Sequence, residues 1–334
     1  MDNNFAELSR LVREKGLLER QYRYYAFKII STLVLLSLGI FLLLTIHHFG
    51  LKLLIAVYLA FVYVQVSFVG HDVAHHQVFK LSKYNDFLGL FFGSFLLGVS
   101  RGYWTDKHNT HHRQPNRIDA DPDIEYPIFA FSEEQALSKR GVQRFMVKYQ
   151  AFFFLPLWLF EGIVIRGASI LYLITHKVKY RLIDALLIAT HLIGYTVLIF
   201  SLLPTGQAFL FILIHQALFG FYLSSVFAPN HKGMPLNEKD TKIDFIHEQV
   251  LTARNVKAHP LTDYWYGGLN YQIEHHLFPT TARNKLGELQ KIVRSYCQEH
   301  DIHYYETGMV QSYKEIIVFL HGVSAVVRKS HSAP

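Results

Sequence analysis

Four stretches without a single Asp, Glu, Lys or Arg set the first limit on the fold: residues 29–46, 53–70, 185–203 and 208–227. Wound as α-helix, each is long enough to cross a hydrocarbon layer of ~30 Å. A lipid interior offers the backbone no hydrogen-bond partner, so such segments must close their own N–H and C=O groups as helices. They also pair. "HHFGLK" separates the first two and "PTGQ" the last two, too little chain for anything but a tight reversal. The composition agrees, with 51% hydrophobic, 15% aromatic and 18% charged residues and a mean hydropathy of +0.16. The expected class is an all-α integral membrane protein built on two transmembrane helical hairpins, four spans in all.

Charge orients the hairpins. Arg13, Lys15, Arg20, Arg23 and Lys28 precede the first span, and Lys177, Lys179 and Arg181 precede the third, whereas the two tips hold only Lys52. The excess of cations on cytosolic flanks places the N-terminus and the long connecting segments in the cytosol. The chain then divides into a cytosolic amphipathic arm (1–28), a membrane domain with its cap (29–285) and a C-terminal helical segment and tail (286–334). A charged stretch of 28 residues precedes the first apolar run, which does not suit a cleavable signal peptide. The lone Cys297 excludes an internal disulfide and fits a reducing compartment. A net charge of +7, with the basic residues concentrated on the cytosolic side, suits lipid headgroups, an acidic electron carrier or a CoA phosphate. No nucleic-acid module is visible. A bacterial plasma membrane is the expected location, with the endoplasmic reticulum as the alternative.

Histidine is distributed very unevenly. "HNTHHRQPN" carries His108, His111 and His112, "GHDVAHHQVF" carries His71, His75 and His76, and "NYQIEHHLFP" carries His275 and His276. At about 100° per residue, His111 and His112 lie about 60° and 40° either side of His108 on a helix, so one face carries all three. His71 and His75 are one turn apart, while His76 is turned by about 140° from His71 and is the weakest candidate of its group. Gln272 holds the position in the third cluster that His108 holds in the second. Imidazole is the commonest metal ligand among side chains. With the isolated His231 of "FAPNHKGMP", eight well-placed rings exceed the needs of one ion, and two metals follow. Asp72, Asp119, Asp121 and Asp123 are the nearest carboxylates able to orient those rings, with Asn230 as a further polar neighbour. The "DADPDIE" spacing resembles a calcium loop, but Ile124 stands where such a loop needs glycine. His191 and His215 lie mid-span, where a neutral ring bonded between helices is the expected role.

Two further apolar segments bear on the topology. Residues 87–100 are short for a span, and residues 149–175 contain Glu161, Arg166 and Pro156. If either crossed, the histidine clusters would fall on opposite faces. A shared metal site requires both segments to be interfacial or re-entrant, beneath a cytosolic histidine-rich cap.

These motifs resemble those of the membrane fatty-acid desaturases, a family marked by three histidine boxes beside two helical hairpins. "HDVAH", "HNTHH" and "QIEHH" match the boxes in order, and Gln272 in the third resembles the front-end branch and related bacterial acyl-lipid and acyl-CoA desaturases. The likeness implies two iron ions, dioxygen as co-substrate and an extra histidine after the fourth span, which His231 matches. The implied ligand set is His71, His75, His108, His111, His112, His231, His275 and His276. Asp72, Asn230 and Gln272 stand behind them. The implied activity is insertion of a double bond into an acyl chain carried on a lipid or CoA. Without a dinucleotide fingerprint or a fused haem domain, electrons must come from a ferredoxin or a cytochrome with its reductase. Hydroxylation of alkanes, sterols or carotenoids is the alternative chemistry. A histidine-rich metal transporter fits less well, because transporters place their ligands near the bilayer midplane.

Overall fold

A computed structural model of the chain describes residues 3–329. Helices follow one another from the start: α1 (Asn3–Glu14), α2 (Tyr22–Thr45), α3 (Phe49–Ala74) and α4 (Ser82–Gly89), which runs on as π-helix over Leu90–Leu97. Next come α5 (Arg101–Arg113), α6 (Glu133–Ser138), α7 (Gly141–Lys148), α8 (Gln150–Leu157), α9 (Glu161–Thr175), α10 (Arg181–Leu202) and α11 (Thr205–His231). The remainder is shorter: α12 (Phe245–Leu251), β1 (Asn255–Val256), α13 (Pro260–Tyr266), α14 (Gln272–Leu277), α15 (Leu286–Glu299), β2 (Glu306–Thr307), α16 (Met309–Val323) and α17 (Ala325–Lys329). β1 and β2 pair in parallel, Asn255 opposite Glu306.

The four uncharged stretches fall on α2, α3, α10 and α11, which extend into their polar flanks. Ile46–His48 and Leu203–Pro204 suffice to reverse the chain. Among the described residues, five helical stretches are long and apolar enough to cross a membrane: those four and Gln150–Thr175. The fifth is not a uniform helix. Pro156 lacks the N–H that the last turn of α8 needs, and a 3₁₀ turn over Trp158–Phe160 separates α8 from α9.

Compactness divides the chain into two units interleaved in sequence: residues to 18, 107–157 and from 226 form one, and residues 19–106 and 158–225 the other. In the second unit α2 packs on α3, and the π-helical segment lies against α3 and α10. Gly98 ends that segment at φ +70, where its missing Cβ also matters, since an added one would sit 2.5 Å from the ring of His191. Lys52 is buried and gives its ammonium to the Leu202 carbonyl at 3.1 Å, placing a cation on the C-terminus of α10. Asp184, buried in α10, accepts from Ser100 Oγ at 2.7 Å and from the Gly102 N–H at 3.0 Å. A carboxylate from one helix thus caps the start of α5, where N–H groups lack intrahelical partners.

The first unit has its own apolar core. Leu8 and Val12 of α1 join Ile246 and Val250 of α12, Ile273 and Leu277 of α14 and Val293 of α15. The arm and the C-terminal segment, separate in sequence, therefore share one core with the third histidine box.

Candidate metal centre

The first unit assembles its histidines from three helices. His108, His111 and His112 ride on α5, His231 is the last residue of α11, and His275 and His276 sit on α14. Each helix is fixed by polar ties. Asn116 adopts φ 54, a region asparagine tolerates better than most residues. Its amide donates to the carbonyls of His231 (3.0 Å), Pro235 (3.2 Å) and Thr252 (3.3 Å). Asn255 accepts from the Ile273 N–H at 2.9 Å and donates to the Glu274 carboxyl at 2.7 Å. Tyr304 adds a hydrogen bond to Glu274 at 2.8 Å, and burial pushes the Glu274 carboxyl up to about 7. Asp244 caps α12 through the His247 N–H at 3.1 Å, setting the register that brings Gln249 to the site.

Three Nε2 atoms converge. His111 and His231 approach to 3.2 Å, His231 and His276 to 3.0 Å, and all three side chains are buried. Their Nδ1 atoms each face an acceptor. Asp121 takes that of His111 at 2.9 Å, the Thr252 carbonyl that of His231 at 3.0 Å, and Gln249 Oε1 that of His276 at 2.8 Å. The Gln249 amide is oriented by its N–H, which donates to the His112 carbonyl at 3.2 Å. Each Nδ1 therefore carries the proton, and three Nε2 lone pairs point toward one another. Lone pairs at this separation repel unless a cation lies among them. Nitrogens about 2.1 Å from one ion and at right angles stand about 3.0 Å apart, so this donor set fits a metal.

The carboxylates divide by role. Asp121 is fully buried and also accepts the N–H groups of Asn116 (2.7 Å) and Asp123 (2.9 Å), which hold it against His111. Asp123 ion-pairs with Lys107. Burial would raise its carboxyl, but Lys107, His111 and Lys232 outweigh that and hold it well below the usual carboxylate range. Asp119 is exposed, at φ 60, with its N–H on Glu125. It serves the loop and, among the described residues, meets no histidine ring of the site.

The other box histidines of this unit lie close by. His108 and His112 bring their Nε2 atoms to 3.2 Å, the His112 ring stands 4.7 Å from that of His275 edge to face, and His112 stacks on His276 at 4.1 Å. Gln272 places its amide nitrogen 3.0 Å from His231 Nε2, with its oxygen held by Asn230 at 2.9 Å. In the second unit His71 and His75 stand on the last turn of α3 with ring centroids 4.7 Å apart. His71 Nδ1 and Asp72 Oδ1 are 3.5 Å apart, long for a hydrogen bond. His76 lies past the end of α3 at φ 55, and its ring faces Ser82 at 3.4 Å. The chain turns there, so the helical rotation assumed from sequence stops at His75. Gln249 and Thr252 belong to no motif and were invisible to spacing, and Asn116, which closes "HNTHHRQPN", had no role that spacing could assign.

A mostly helical chain with apolar helices of membrane length and buried histidines gathered from separate helices suits a metal-binding membrane protein. The chain belongs to the fatty acid desaturase family, whose profile matches residues 47–308. It is 33% identical over 322 residues, 91% of this chain and 71% of the relative, to a Delta(6)-fatty-acid desaturase of Caenorhabditis elegans. A Delta(8)-fatty-acid desaturase of Euglena gracilis is 30% identical, over 90% of this chain and 74% of its own length. An acyl-lipid (9-3)-desaturase of Physcomitrium patens is 26% identical, over 98% of this chain and 64% of its own. The protein is an oxidoreductase that desaturates fatty acids, in keeping with the fold and histidine clusters expected from sequence. These relatives are eukaryotic and lend a bacterial membrane no support.

Proposed function

We propose that the chain is a di-iron acyl desaturase that introduces a double bond toward the carboxyl end of an acyl chain, on a lipid or CoA carrier. The observation that carries the metal reading is the convergence of three buried Nε2 lone pairs whose Nδ1 atoms are all pinned by acceptors. His111, His231 and His276 would hold one iron, and the family resemblance assigns the remaining box histidines, His71, His75, His108, His112 and His275, to the other. When bound, the irons and dioxygen supply an oxidant strong enough to remove hydrogen from an unactivated methylene. Two electrons from a separate ferredoxin or cytochrome, with two protons and the two hydrogens of the chain, complete the reduction of dioxygen to water. The residues of this chain fix the rings: Asp121, Gln249 and the Thr252 carbonyl each hold an Nδ1 proton in place. The preference for the carboxyl end rests on relatives named for positions 5, 6 and 8.

Expression in a host that lacks the activity, followed by gas chromatography–mass spectrometry of its fatty acids, should reveal a new double bond between the carboxyl group and any existing one. A hydroxylated acid as the product would replace this reading with that of a hydroxylase.

We further propose four spans with the N-terminus and all boxes in the cytosol. Parity supports it. His111 and His231 meet in one unit, so an even number of crossings separates them. If α10 and α11 cross, the broken stretch Gln150–Thr175 does not. α1 shares its unit with these histidines, which likewise requires an even number of crossings through α2, α3 and the π-helical segment. Cysteines introduced near positions 115 and 235, at the exposed Gln114 and Pro235, should react with an impermeant reagent from the cytosolic side, and one at Gly206 from the opposite side. Labelling of positions 114 and 235 from different sides would sink the four-span topology.

A further inference from the structure

Arg166 presents an unsolved problem of charge. It lies on α9, buried among the apolar helices, and among the described residues no carboxylate stands within ion-pair distance of it. A guanidinium has five N–H donors and never loses its charge in a protein. Nε donates to the Leu97 carbonyl at 2.7 Å, and Nη1 donates to the Gly162 carbonyl at 2.8 Å and to Gln216 Oε1 at 2.6 Å. The ring of Phe219 lies 5.2 Å away under the guanidinium. All of these partners are neutral, and Nη2, fully buried, meets no acceptor among the described residues.

A second buried donor lies one side chain away. Because Arg166 only donates, it fixes Oε1 of Gln216, and the Gln216 N–H must face His215 Nδ1 at 3.1 Å. Nδ1 of His215 is therefore an acceptor, used also by the Tyr195 hydroxyl at 2.7 Å, and its proton sits on Nε2. That N–H is buried and faces the Leu59 carbonyl. Gln216 stands near the middle of α11, fifteen residues before His231, away from every residue assigned above to the metals. Ionisable groups at such depth normally face a partner or a pathway.

We propose that Arg166, held in place by Gln216, forms an intramembrane site for a singly charged anionic acceptor, bound through Arg166 Nη2. A halide ion and the carboxylate of a fatty acid share this chemistry. Either would neutralise the guanidinium and give Nη2 the acceptor it lacks among the described residues. The inference is independent of the metals and of the double-bond position.

The test uses the full chain in detergent, purified into gluconate buffer, and reads its thermal unfolding midpoint. Chloride or bromide should raise the midpoint saturably, by about 5 °C at a hundredfold excess over the dissociation constant. If a fatty carboxylate is the occupant, a long-chain acid should give the rise and its methyl ester should not. Arg166→Gln should abolish whichever response the wild type shows. Should that variant fail to fold, Gln216→Glu provides the second arm, because it builds a carboxylate beside the guanidinium. It should be stable in gluconate and indifferent to added anion. A wild-type midpoint insensitive to halide and to carboxylate alike would mean that water fills the site, and the proposal falls. An anion response undiminished in Arg166→Gln or in Gln216→Glu would also overturn it.

Discussion

Replacing His231 by alanine is expected to abolish desaturation and to strip iron from the protein while leaving it folded and inserted. The change removes one of three converging Nε2 atoms and frees the Thr252 carbonyl that held its ring. Losing a proposed direct ligand should cost more than the loss of about 10- to 100-fold typical of an outer partner. The carbonyl ties of Asn116 act on the His231 backbone rather than its ring, so α11 stays anchored in the variant. His300 is the control. It is exposed beside Tyr296, with its Nδ1 on the Tyr296 carbonyl at 2.9 Å, and is not one of the proposed ligands. His300→Ala should keep both turnover and iron. The measurements are product formation in membranes and elemental analysis of purified protein. A His231→Ala protein with wild-type iron content and turnover would remove this histidine from the site.

Asp121→Ala should be the most damaging change at a residue that is not itself a proposed ligand. Asp121 holds the Nδ1 proton of His111 and accepts two backbone N–H groups of the loop that follows α5. Alanine releases the ring and leaves those N–H groups buried without an acceptor, which costs about 1–3 kcal/mol each. Iron affinity should fall by about 10- to 100-fold, and the unfolding midpoint should drop as well. Asp121→Asn separates the two effects. It keeps one acceptor for the loop but cannot match the carboxylate toward His111, so stability should recover more than iron affinity. Asp119→Ala, on the exposed side of the same loop, should change neither. Equal iron affinities for Asp121→Asn and wild type, measured by competition with a chelator, would assign Asp121 to the loop alone.

The chain announces its architecture in local patterns. Four uncharged runs specify α2, α3, α10 and α11 because lipid solvation acts on each segment separately. The three boxes are equally legible, since helical periodicity alone puts His108, His111 and His112 on one face. His231 was reachable only through the family's placement of an additional histidine, because a lone ring after a span carries no periodicity. What tertiary structure decided is the identity of the acceptors behind the rings. Gln249 lies 27 residues before His276, and Asn116 lies 115 residues from the His231 carbonyl it binds. Asp119, Asp121 and Asp123 look alike in the sequence, yet burial gives one a ring, one a lysine and one the solvent. The same holds for Arg166, a mere interruption in residues 149–175 until α9 lies beside Gln216. Helical periodicity relates residues a few positions apart, so it fixes elements and faces. A hydrogen bond reports where two distant backbones arrive, and that is settled only when the whole chain packs.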